Sequence, residues 1–556
     1  MKAIMKTMKY FLSMAALALV GAMTVSCSSD DNFIDQPQQP ATNAGNVEIL
    51  TTTVSLDGDD ATRALTSTGV KTFAAGETMA IYYWKNKGND HVKAVSAPLT
   101  AGDITNGGKS ATFTFTLDNP YKDMSVAYTY PAAMANADFT PNYAALYNNQ
   151  DGTLATLASD FDFCTGSGAW AGDNLPSVTL ENQLAILAIT LKNEAGTSDI
   201  TSGTTKLTVS DGTNTYTVSR SAAAGPIYVA IRPTTSANIS IEAINGSQGY
   251  CKTLTTKTYE ASNGYPVSWR MTPATLLSTI TSNYTAQDGE RLYGKLGSNV
   301  KISIADGATV TLKDVTINGV NSGSYEWAGI TCAGDATITL EGTNTVKGFD
   351  WRYPGIYVPE GKTLIINGTG SLNASNNGRS TGIGGGFYMH CGNIVINGGN
   401  ITATGGSYNA GIGGGEGDSG DVIRCGNITI NGGTVTATGG DDAAGIGCGY
   451  YGASGTINIT SGTVTATGGD DAAGIGSADG GSCGAITISG GTVAATGTGD
   501  GAGIGSGRDG NCGTIDITSG TVTATKGSSW AQSIGAGWNG SCGAVNIAGG
   551  ANVTQN

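Results

Sequence analysis

Residues 428–450 read ITINGGTVTATGGDDAAGIGCGY, and residues 457–479 read INITSGTVTATGGDDAAGIGSAD. The two stretches are copies of one unit, which recurs along the C-terminal half of the chain around an isoleucine in a Gly-Ile-Gly or Ser-Ile-Gly motif. Spacings of 29, 34, 29, 29 and 30 residues separate these isoleucines, which are Ile383, Ile412, Ile446, Ile475, Ile504 and Ile534. A unit of this length cannot bury its apolar side alone, so successive copies must stack on one another.

Each unit contains three short runs with the character of strands. The Gly-Ile-Gly run comes first, a run such as Cys-Gly-Asn-Ile-Thr-Ile follows, and Gly-Thr-Val-Thr-Ala-Thr ends the unit. The third run alternates, so that Thr434 points outward and Val435 inward. Strands joined by glycine-rich corners favour a right-handed parallel β-helix. We predict one over residues 281–556, with degenerate coils centred on Ile330 and Ile356.

Half of the ten cysteines follow the repeat at one position of the unit. They are Cys391, Cys425, Cys483, Cys512 and Cys542, and Ser454 stands at this position in the remaining copy. Because stacked coils lie about 4.8 Å apart, one cysteine per coil forms a column of small apolar thiols. We therefore predict packing residues rather than disulfides here. Cys164 and Cys251 could pair, but nothing in the sequence shows that they do.

Composition limits the kinds of function open to the chain. The formal net charge is −15, only 28 residues are Lys or Arg, and charged residues make up 13% of the chain. This balance argues against nucleic acid as a partner, because phosphate binding needs a basic surface. Many Thr and Gly residues with few charges are typical of an all-β extracellular protein.

The N-terminus predicts the compartment. Three lysines precede an apolar stretch at 10–25 that is too short to span a membrane, and the stretch ends at Thr24-Val25-Ser26-Cys27. This ending resembles a bacterial lipobox, which implies a signal peptide over 1–26, lipidation of Cys27, and a polar tether over 27–46. The acidic run after Cys27 resembles the surface-export signal of Bacteroidota lipoproteins. We therefore expect an outer-membrane lipoprotein at the cell surface; an ordinary secretory signal with a coincidental cysteine is the alternative.

The region between the tether and the repeats has a different pattern. Short alternating strands are separated by Gly, Asn and Asp turns, as in residues 111–117 and 184–191. Such alternation favours β-sandwiches. We predict two of them, over residues 47–173 and 174–274.

Three features of residues 1–273 together resemble the fimbrillin family of Bacteroidota pilus subunits. A lipoprotein signal is followed by a polar tether, Ala61-Thr62-Arg63-Ala64 follows a first strand at 47–54, and the strand order ends in Gly264-Tyr265-Pro266-Val267-Ser268-Trp269. The resemblance implies two transthyretin-like sandwiches and pairing with other fimbrillin subunits by donor-strand exchange.

The resemblance also implies proteolytic processing by a trypsin-like, Arg-specific maturation protease. In this sequence the cleavage would fall between Arg63 and Ala64, which removes the first strand and the lipid. Arg63 is the only basic residue between Lys9 and Lys71, so such a protease has one choice in this segment. The alternative is an ordinary turn arginine after Asp57-Gly58-Asp59-Asp60.

The C-terminal end of the sequence adds an expectation about position in a polymer. After Gly550 only six residues follow, inside the repeat region. We expect a subunit that accepts a strand from the next pilin and offers none, which places it at the tip of a fimbria.

Aligning the units by their isoleucine gives columns of aromatic and acidic residues four positions before and four after it. We expect these columns to edge the Gly-Ile-Gly sheet on both sides and its glycine face to be flat and open. The candidate ligand-binding residues are Trp327, Trp351, Tyr353, Tyr388, Tyr408, Tyr450, Tyr451, Trp530, Trp538, Asp442, Asp471 and Asp500.

Two ligands fit such a face. Sugars stack on aromatic rings while their hydroxyls bond to carboxylates, and Ca²⁺ prefers oxygen ligands such as Asp442, Asp471 and Asp500. The plainer alternative is that the aromatic rings cover corners and the aspartates are solvated turn residues. The repeats resemble carbohydrate-binding and pectate-lyase-like β-helices in a generic way.

The sequence argues against an enzyme. Its two histidines, His91 and His390, fall in different predicted domains, so a histidine-based triad or zinc site is not expected. Only Arg508, with Asp479 and Asp509 nearby, approaches the acid-and-base group of a lyase. We therefore predict a fimbrial subunit with a β-helical adhesive head that binds a surface glycan or a host or bacterial protein. The alternatives are a lipid-anchored polysaccharide-binding protein and, after it, a β-helix polysaccharide lyase.

Overall fold

The computed structural model describes residues 47–56, 72–138, 140–418 and 420–556. Within these residues the chain is almost entirely β, and its strands form two sandwich-like units followed by a parallel β-helix. The predicted all-β architecture is confirmed. None of the helices among the described residues has the length and apolar character needed to cross a membrane.

The first unit is built from one continuous eight-stranded sheet that folds over a single core. Its strands are β1 (Val47–Leu56), β2 (Ala80–Lys85), β3 (Asp90–Val95), β4 (Ile104–Thr105), β5 (Ser110–Asp118), β6 (Val126–Tyr130), β7 (Cys164–Gly168) and β8 (Val178–Asn182). The segment between β6 and β7 contains the helices α1 (Ala144–Asn148) and α2 (Leu154–Asp160). The strand order is β3-β2-β6-β7-β8-β1-β5-β4. Alternation in β5 buries Phe113, Phe115 and Leu117, which share a core with Tyr128 of β6.

The second unit packs a five-stranded sheet against a three-stranded one. Its strands are β9 (Ala185–Lys192), β10 (Thr204–Ser210), β11 (Thr215–Ser219), β12 (Ile227–Ile231), β13 (Thr234–Asn245), β14 (Gln248–Tyr259), β15 (Gly264–Arg270) and β16 (Thr272–Pro273). The orders are β11-β10-β13-β14-β16 and β12-β9-β15, and one apolar core fills the space between them.

The boundary between the two units differs from the predicted one at residue 174. Strand β8 lies after that position, yet it pairs with β7 and β1 of the first sheet. Conversely, α1 and α2 precede it, but Leu146 and Leu157 are buried in the second core. The sequence pattern shows where strands occur, and the partner of each strand is decided by long-range pairing.

The β-helix stacks its coils as parallel ladders. The isoleucine ladder consists of Tyr284–Ala286, Ile302–Ile304, Ile330–Cys332, Ile356–Tyr357, Ile383–Gly384, Ile412–Gly413, Ile446–Gly447, Ile475–Gly476, Ile504–Gly505 and Ile534–Gly535. Both predicted degenerate coils are present in it, at Ile330 and Ile356.

Two further ladders form the long sides of each coil and merge through Ala308–Asn318 into one 19-stranded sheet. The middle ladder consists of Thr275–Leu276, Arg291–Lys295, Ala336–Glu341, Thr363–Gly368, Asn393–Ile396, Ile428–Ile430, Ile457–Ile459, Ile486–Ile488, Ile515–Ile517 and Val545–Ile547. The threonine ladder consists of Thr343–Lys347, Ser371–Ser375, Asn400–Thr404, Thr434–Thr438, Thr463–Thr467, Thr492–Thr496, Thr521–Thr525 and Asn552–Gln555.

The cysteine position forms a ladder of its own, so these coils have four strands and not the predicted three. It consists of Arg424–Cys425, Ala453–Ser454, Ser482–Cys483, Asn511–Cys512 and Ser541–Cys542, with Cys391 bridged to Cys425 before it. A glycine after each cysteine bends the chain before the middle ladder begins.

One prediction about the cysteines is wrong. Cys391 and Cys425, on adjacent coils, are joined by a disulfide bond with their Cα atoms 4.3 Å apart. The repeat position alone does not show whether a cysteine packs as a free thiol or forms a disulfide, because cysteines on adjacent coils are neighbours in both cases. Cys164 and Cys251 are not bonded to each other among the described residues, because they are buried in different clusters.

Candidate functional site

In the six regular coils, from Ile383 to Ile534, the isoleucine of the isoleucine ladder stands at the tip of a sharp inward turn. The N–H two residues before the isoleucine donates to the carbonyl two residues after it, as in Ala444 to Cys448 at 3.1 Å and Ala473 to Ser477 at 3.1 Å. The flanking glycines are buried together with the isoleucine. The expectation of a flat, open glycine face is therefore wrong, because the segments on either side close over it.

Glycine is required in this turn for two reasons. Gly476, directly after Ile475, has φ +138, a conformation that side chains rarely adopt. A Cβ there would also lie 1.9 Å from the carbonyl oxygen of Gly505 on the next coil. The glycines of the Gly-Ile-Gly motif thus allow the backbone to turn into the core and allow each inward turn to stack closely on the turn of the next coil.

The inward turn brings the two columns of the sequence analysis together. The residue four positions after one isoleucine donates its N–H to the carbonyl of the residue four positions before the preceding isoleucine. These bonds are Tyr450 to Tyr408 at 3.0 Å, Asp479 to Asp442 at 3.2 Å, Arg508 to Asp471 at 2.8 Å and Trp538 to Asp500 at 3.0 Å. The columns therefore form one continuous surface, which we call the ridge, and do not edge the sheet on opposite sides.

Side chains also meet in pairs along the ridge. The pairs in side-chain contact, in order along the β-helix, are Arg379 with Glu416, Tyr408 with Tyr450, Asp442 with Asp479, and Asp471 with Arg508. Arg352 with Phe387, before them, and Asp500 with Trp538, after them, are joined by backbone hydrogen bonds. Aromatic and cationic groups dominate the first half of the ridge, and carboxylates dominate the second half.

The aromatic half is held by tilted and edge-to-face ring contacts and by an ion pair between Arg379 and the buried carboxylate of Glu416. The guanidinium of Arg379 lies 5.0 Å from the ring centres of both Phe387 and Tyr408, and its Nε donates to Glu416 at 3.0 Å. Such contacts hold the rings in fixed orientations. Tyr450 continues the row, with ring centres 5.4 Å from Tyr408 and 4.4 Å from Tyr451.

Several predicted binding residues are exposed on or beside the ridge. The exposed rings are Trp351 (36%), Tyr388 (41%), Tyr451 (36%), Trp538 (45%) and Trp530 (72%). Trp327 differs, because it packs against the core and against Tyr325 and Phe349. Tyr353 is half-buried beside the guanidinium of Arg352.

The acidic half contains a compact group of carboxylates. Asp442, Asp471 and Asp479 each place an oxygen within 4.8 Å of the others. Asp500, predicted to belong to this group, instead donates its N–H to Asp471 at 2.8 Å and accepts a hydrogen bond from Ser528 at 2.7 Å. The column of aligned aspartates thus supplied two members of the group, Asp442 and Asp471, and the third member, Asp479, comes from the opposite column.

Arg508 closes this group. Its guanidinium lies 2.7 Å from Asp471, 3.6 Å from Asp479 and 3.4 Å from Asp509. The carboxylates raise the pKa of Arg508 and hold it protonated, so that it is a cation in the group and not a base.

Burial raises the pKa of Asp479 to about 6; Arg508 lowers it, and the neighbouring carboxylates of Asp442 and Asp471 add to the increase. The pKa of Asp442 is also raised, first by burial and then by Asp471. The group can thus take up protons in mildly acidic solution and can offer oxygen ligands to a cation.

Of the predicted site residues, Cys27, Arg63 and Ala64 lie outside the described part of the chain, as do the predicted signal peptide and tether over residues 1–46.

Comparison with known proteins supports the repeat assignment. A family described as "Beta helix repeat" matches residues 394–416, 428–450, 457–481 and 486–508. A search of curated proteins finds no match for the chain.

Solved structures resemble the N-terminal part of the chain weakly. A fimbrial assembly protein from Parabacteroides distasonis is 10% identical, with a TM-score of 0.24 and coverage of 40% of this chain and 90% of that one. The tip fimbrial protein Mfa3 from Porphyromonas gingivalis is 12% identical, with a TM-score of 0.17 and coverage of 38% and 80%. TM-scores this low carry no inference about this chain.

Proposed function

We propose that this protein is a subunit of a surface fimbria, in which the first sandwich exchanges its first strand with another subunit and the β-helix is the adhesive head. The observation that carries the proposal is the position of β1. This strand lies inside the sheet, antiparallel to β5 over nine residue pairs from Val47 to Ser55 and parallel to β8 from Val54 to Leu56.

Removing β1 would open a groove suited to another strand. Val54 is fully buried, and the hydroxyl of Thr52 donates to the carbonyl of Pro176 at 2.6 Å. Without β1, backbone groups of β5 and β8 would lose their partners and Phe113 would lose part of its cover. An extended segment from a second subunit restores both the backbone bonds and the apolar contacts.

Arg63 is the proposed point of cleavage because it follows β1 by only seven residues in the sequence. A cut between Arg63 and Ala64 would separate β1 from the rest of the sandwich. It would also release the subunit from the lipid proposed on Cys27 and allow its incorporation into a fimbria.

The test is the N-terminus of the protein recovered from sheared filaments, compared for wild type, Arg63→Ala and the matched variant Lys71→Ala. Wild type and Lys71→Ala should begin at Ala64 in the filament fraction. Arg63→Ala should remain in the membrane fraction with β1 attached. A wild-type protein that keeps its lipidated Cys27 and never enters filaments would favour a lipid-anchored polysaccharide-binding protein instead.

For the head we propose the ridge as the adhesive surface and a glycan of neutral or positive charge as its ligand. Exposed rings such as Trp538 and Tyr451 offer stacking surfaces, and the nearby carboxylates accept hydrogen bonds from hydroxyls. The carboxylates would repel uronic-acid polymers. Trp538→Ala should weaken binding on a glycan array at least roughly tenfold, while Thr465→Ala on the threonine ladder should leave it unchanged. Equal glycan binding by both variants would show that the ridge is not the binding surface.

We propose that Asp442, Asp471 and Asp479 bind Ca²⁺ in competition with Arg508, with Asp479 in the place of the predicted Asp500. Calorimetric titration with CaCl₂ should show binding by wild type and weaker binding by Asp442→Asn. No heat in either protein would exclude the ion.

A polysaccharide lyase fits this group less well. Such an enzyme needs a basic residue to remove a proton from the sugar, and the ion pairs of Arg508 keep it protonated. Release of unsaturated products from an acidic polysaccharide would contradict the adhesive interpretation.

A further inference from the structure

The cysteine ladder contains a second group of thiols that the proposed function does not use. Cys483 pairs in register with Cys512, and Cys512 pairs in register with Cys542, in parallel strands of neighbouring coils. Ser454 separates this group from the Cys391–Cys425 disulfide. The ladder therefore holds one bonded pair and one group of three.

Neighbouring cysteines in the group of three have the same relative position as the two cysteines of the disulfide. Cys391 and Cys425 are also register partners on adjacent coils, and a disulfide fits between them without disturbing the stack. Cys512 lies between Cys483 and Cys542 in the ladder and is the register partner of both. Only one disulfide can form among three cysteines, so one thiol must remain.

We infer that Cys512 and Cys542 form a second inter-coil disulfide and that Cys483 is left as the thiol. Cys542 is the most accessible of the three, since Cys483 and Cys512 are each only 8% exposed. An external disulfide therefore reaches Cys542 first. The coil of Cys542 also exposes Val545 and Ile547, so it gains most from a covalent link to its neighbour.

The oxidant is a second disulfide, carried by a protein or by glutathione, and the reaction is two successive exchanges. The thiolate of Cys542 attacks the external disulfide, forms a mixed disulfide and expels one thiolate. The thiolate of Cys512 then attacks the Cys542 sulfur and expels the second. Two protein thiols are oxidised, one external disulfide is reduced to two thiols, and the protons of the cysteines pass to these products through solvent.

The test is differential alkylation of the full-length protein, exported by its native cell and recovered without reductant. Free thiols are blocked with N-ethylmaleimide in denaturant, the disulfides are then reduced, and the released thiols are labelled with iodoacetamide for peptide mass spectrometry. Cys391, Cys425, Cys512 and Cys542 should carry the second label, and Cys483 the first. Cys391 and Cys425 serve as the internal control for oxidation.

Two matched variants separate the pairing from simple packing. Cys483→Ser should leave the Cys512–Cys542 bond intact, whereas Cys512→Ser should leave Cys542 with the first label. Hydrogen exchange at 545–547 should be roughly tenfold faster in Cys512→Ser than in Cys483→Ser. A wild-type protein in which Cys542 carries the first label, or Cys483 the second, would overturn the inference.

Discussion

At the scale of single residues, Asp479 makes the stability of the β-helix depend on pH. Its pKa in the folded protein, about 6, lies above the value of about 3.9 expected in the unfolded chain. A raised pKa means that the protonated form stabilises the fold. This contribution is complete below about pH 4 and is lost as the pH rises through about 6.

We therefore predict that the wild-type free energy of unfolding falls by up to about 3 kcal/mol between pH 4 and pH 6 on account of this residue. Asp479→Asn should remove that decrease, because an amide does not titrate. Asp509→Asn is the matched control, since it removes a more exposed carboxylate from the same guanidinium and should keep the decrease. Denaturant unfolding curves measured between pH 4 and pH 6 give the free energy of unfolding of each variant. If this free energy falls equally with pH in wild type and Asp479→Asn, the prediction is wrong.

Ser454 gives a second prediction at this scale. It replaces cysteine in the cysteine ladder, and its buried Oγ has no hydrogen-bond partner within the described part of the chain. Ser454→Ala should stabilise the protein by about 1 kcal/mol, because an unpaired buried hydroxyl is removed. Ser477→Ala should destabilise it by a similar amount, since the buried Ser477 hydroxyl accepts the N–H of Gly507. Thermal melts of both variants test whether their stabilities change in opposite directions. A loss of stability in Ser454→Ala would show that the Ser454 hydroxyl is not an unpaired buried group.

At the scale of elements, the inward turn explains why some predictions from sequence succeeded. The isoleucine spacing and the alternation of threonine with valine follow directly from stacking, so the ladders could be predicted. The path of the chain around each isoleucine could not, because glycine permits an extended strand and a sharp turn equally well. For that reason the two columns of the ridge were placed on opposite sides. Asp479 was placed correctly near Arg508, but its contact with Asp442 and Asp471 was missed.

The turn itself can be tested with one methyl group. Gly476→Ala combines a positive φ with a Cβ that collides with the backbone of the next coil. We predict destabilisation of at least about 3 kcal/mol. Gly549→Ala is the matched control, because a Cβ there would have no atom within 4 Å. Circular dichroism melts should show a clear loss for the first variant and almost none for the second; equal melting temperatures would exclude the tight stacking.

At the scale of the whole molecule, the β-helix is packed firmly against the second sandwich. Tyr293, only 1% exposed, packs with Cys251, Ala274 and Leu276 at this junction. Its hydroxyl donates to the carbonyl of Lys252 at 3.2 Å. These contacts join the first coils of the β-helix to β14 of the second sandwich.

The sequence predicted the two kinds of unit but not this junction. The boundary between sandwich and β-helix was placed at residues 274–281, and Thr275–Leu276 already pairs within the middle ladder. Long-range contacts of single side chains, such as Thr253 with Asp314 at 2.7 Å, leave no periodic trace in a sequence. The adhesive head proposed for this protein would need such a junction, because binding under flow would load the connection between the β-helix and the sandwich.

The junction yields a final prediction. Tyr293→Ala removes a large buried side chain and should lower the stability of the junction by about 3–5 kcal/mol, whereas Tyr293→Phe keeps the ring and loses only the hydroxyl contacts. Limited chymotrypsin digestion should then cut after Leu276 or Leu277 at least roughly tenfold faster in Tyr293→Ala than in wild type. Tyr293→Phe should resemble wild type, since the ring supplies most of the buried area. Equal cleavage in all three proteins would show that the contacts of Tyr293 do not hold the head to the sandwich.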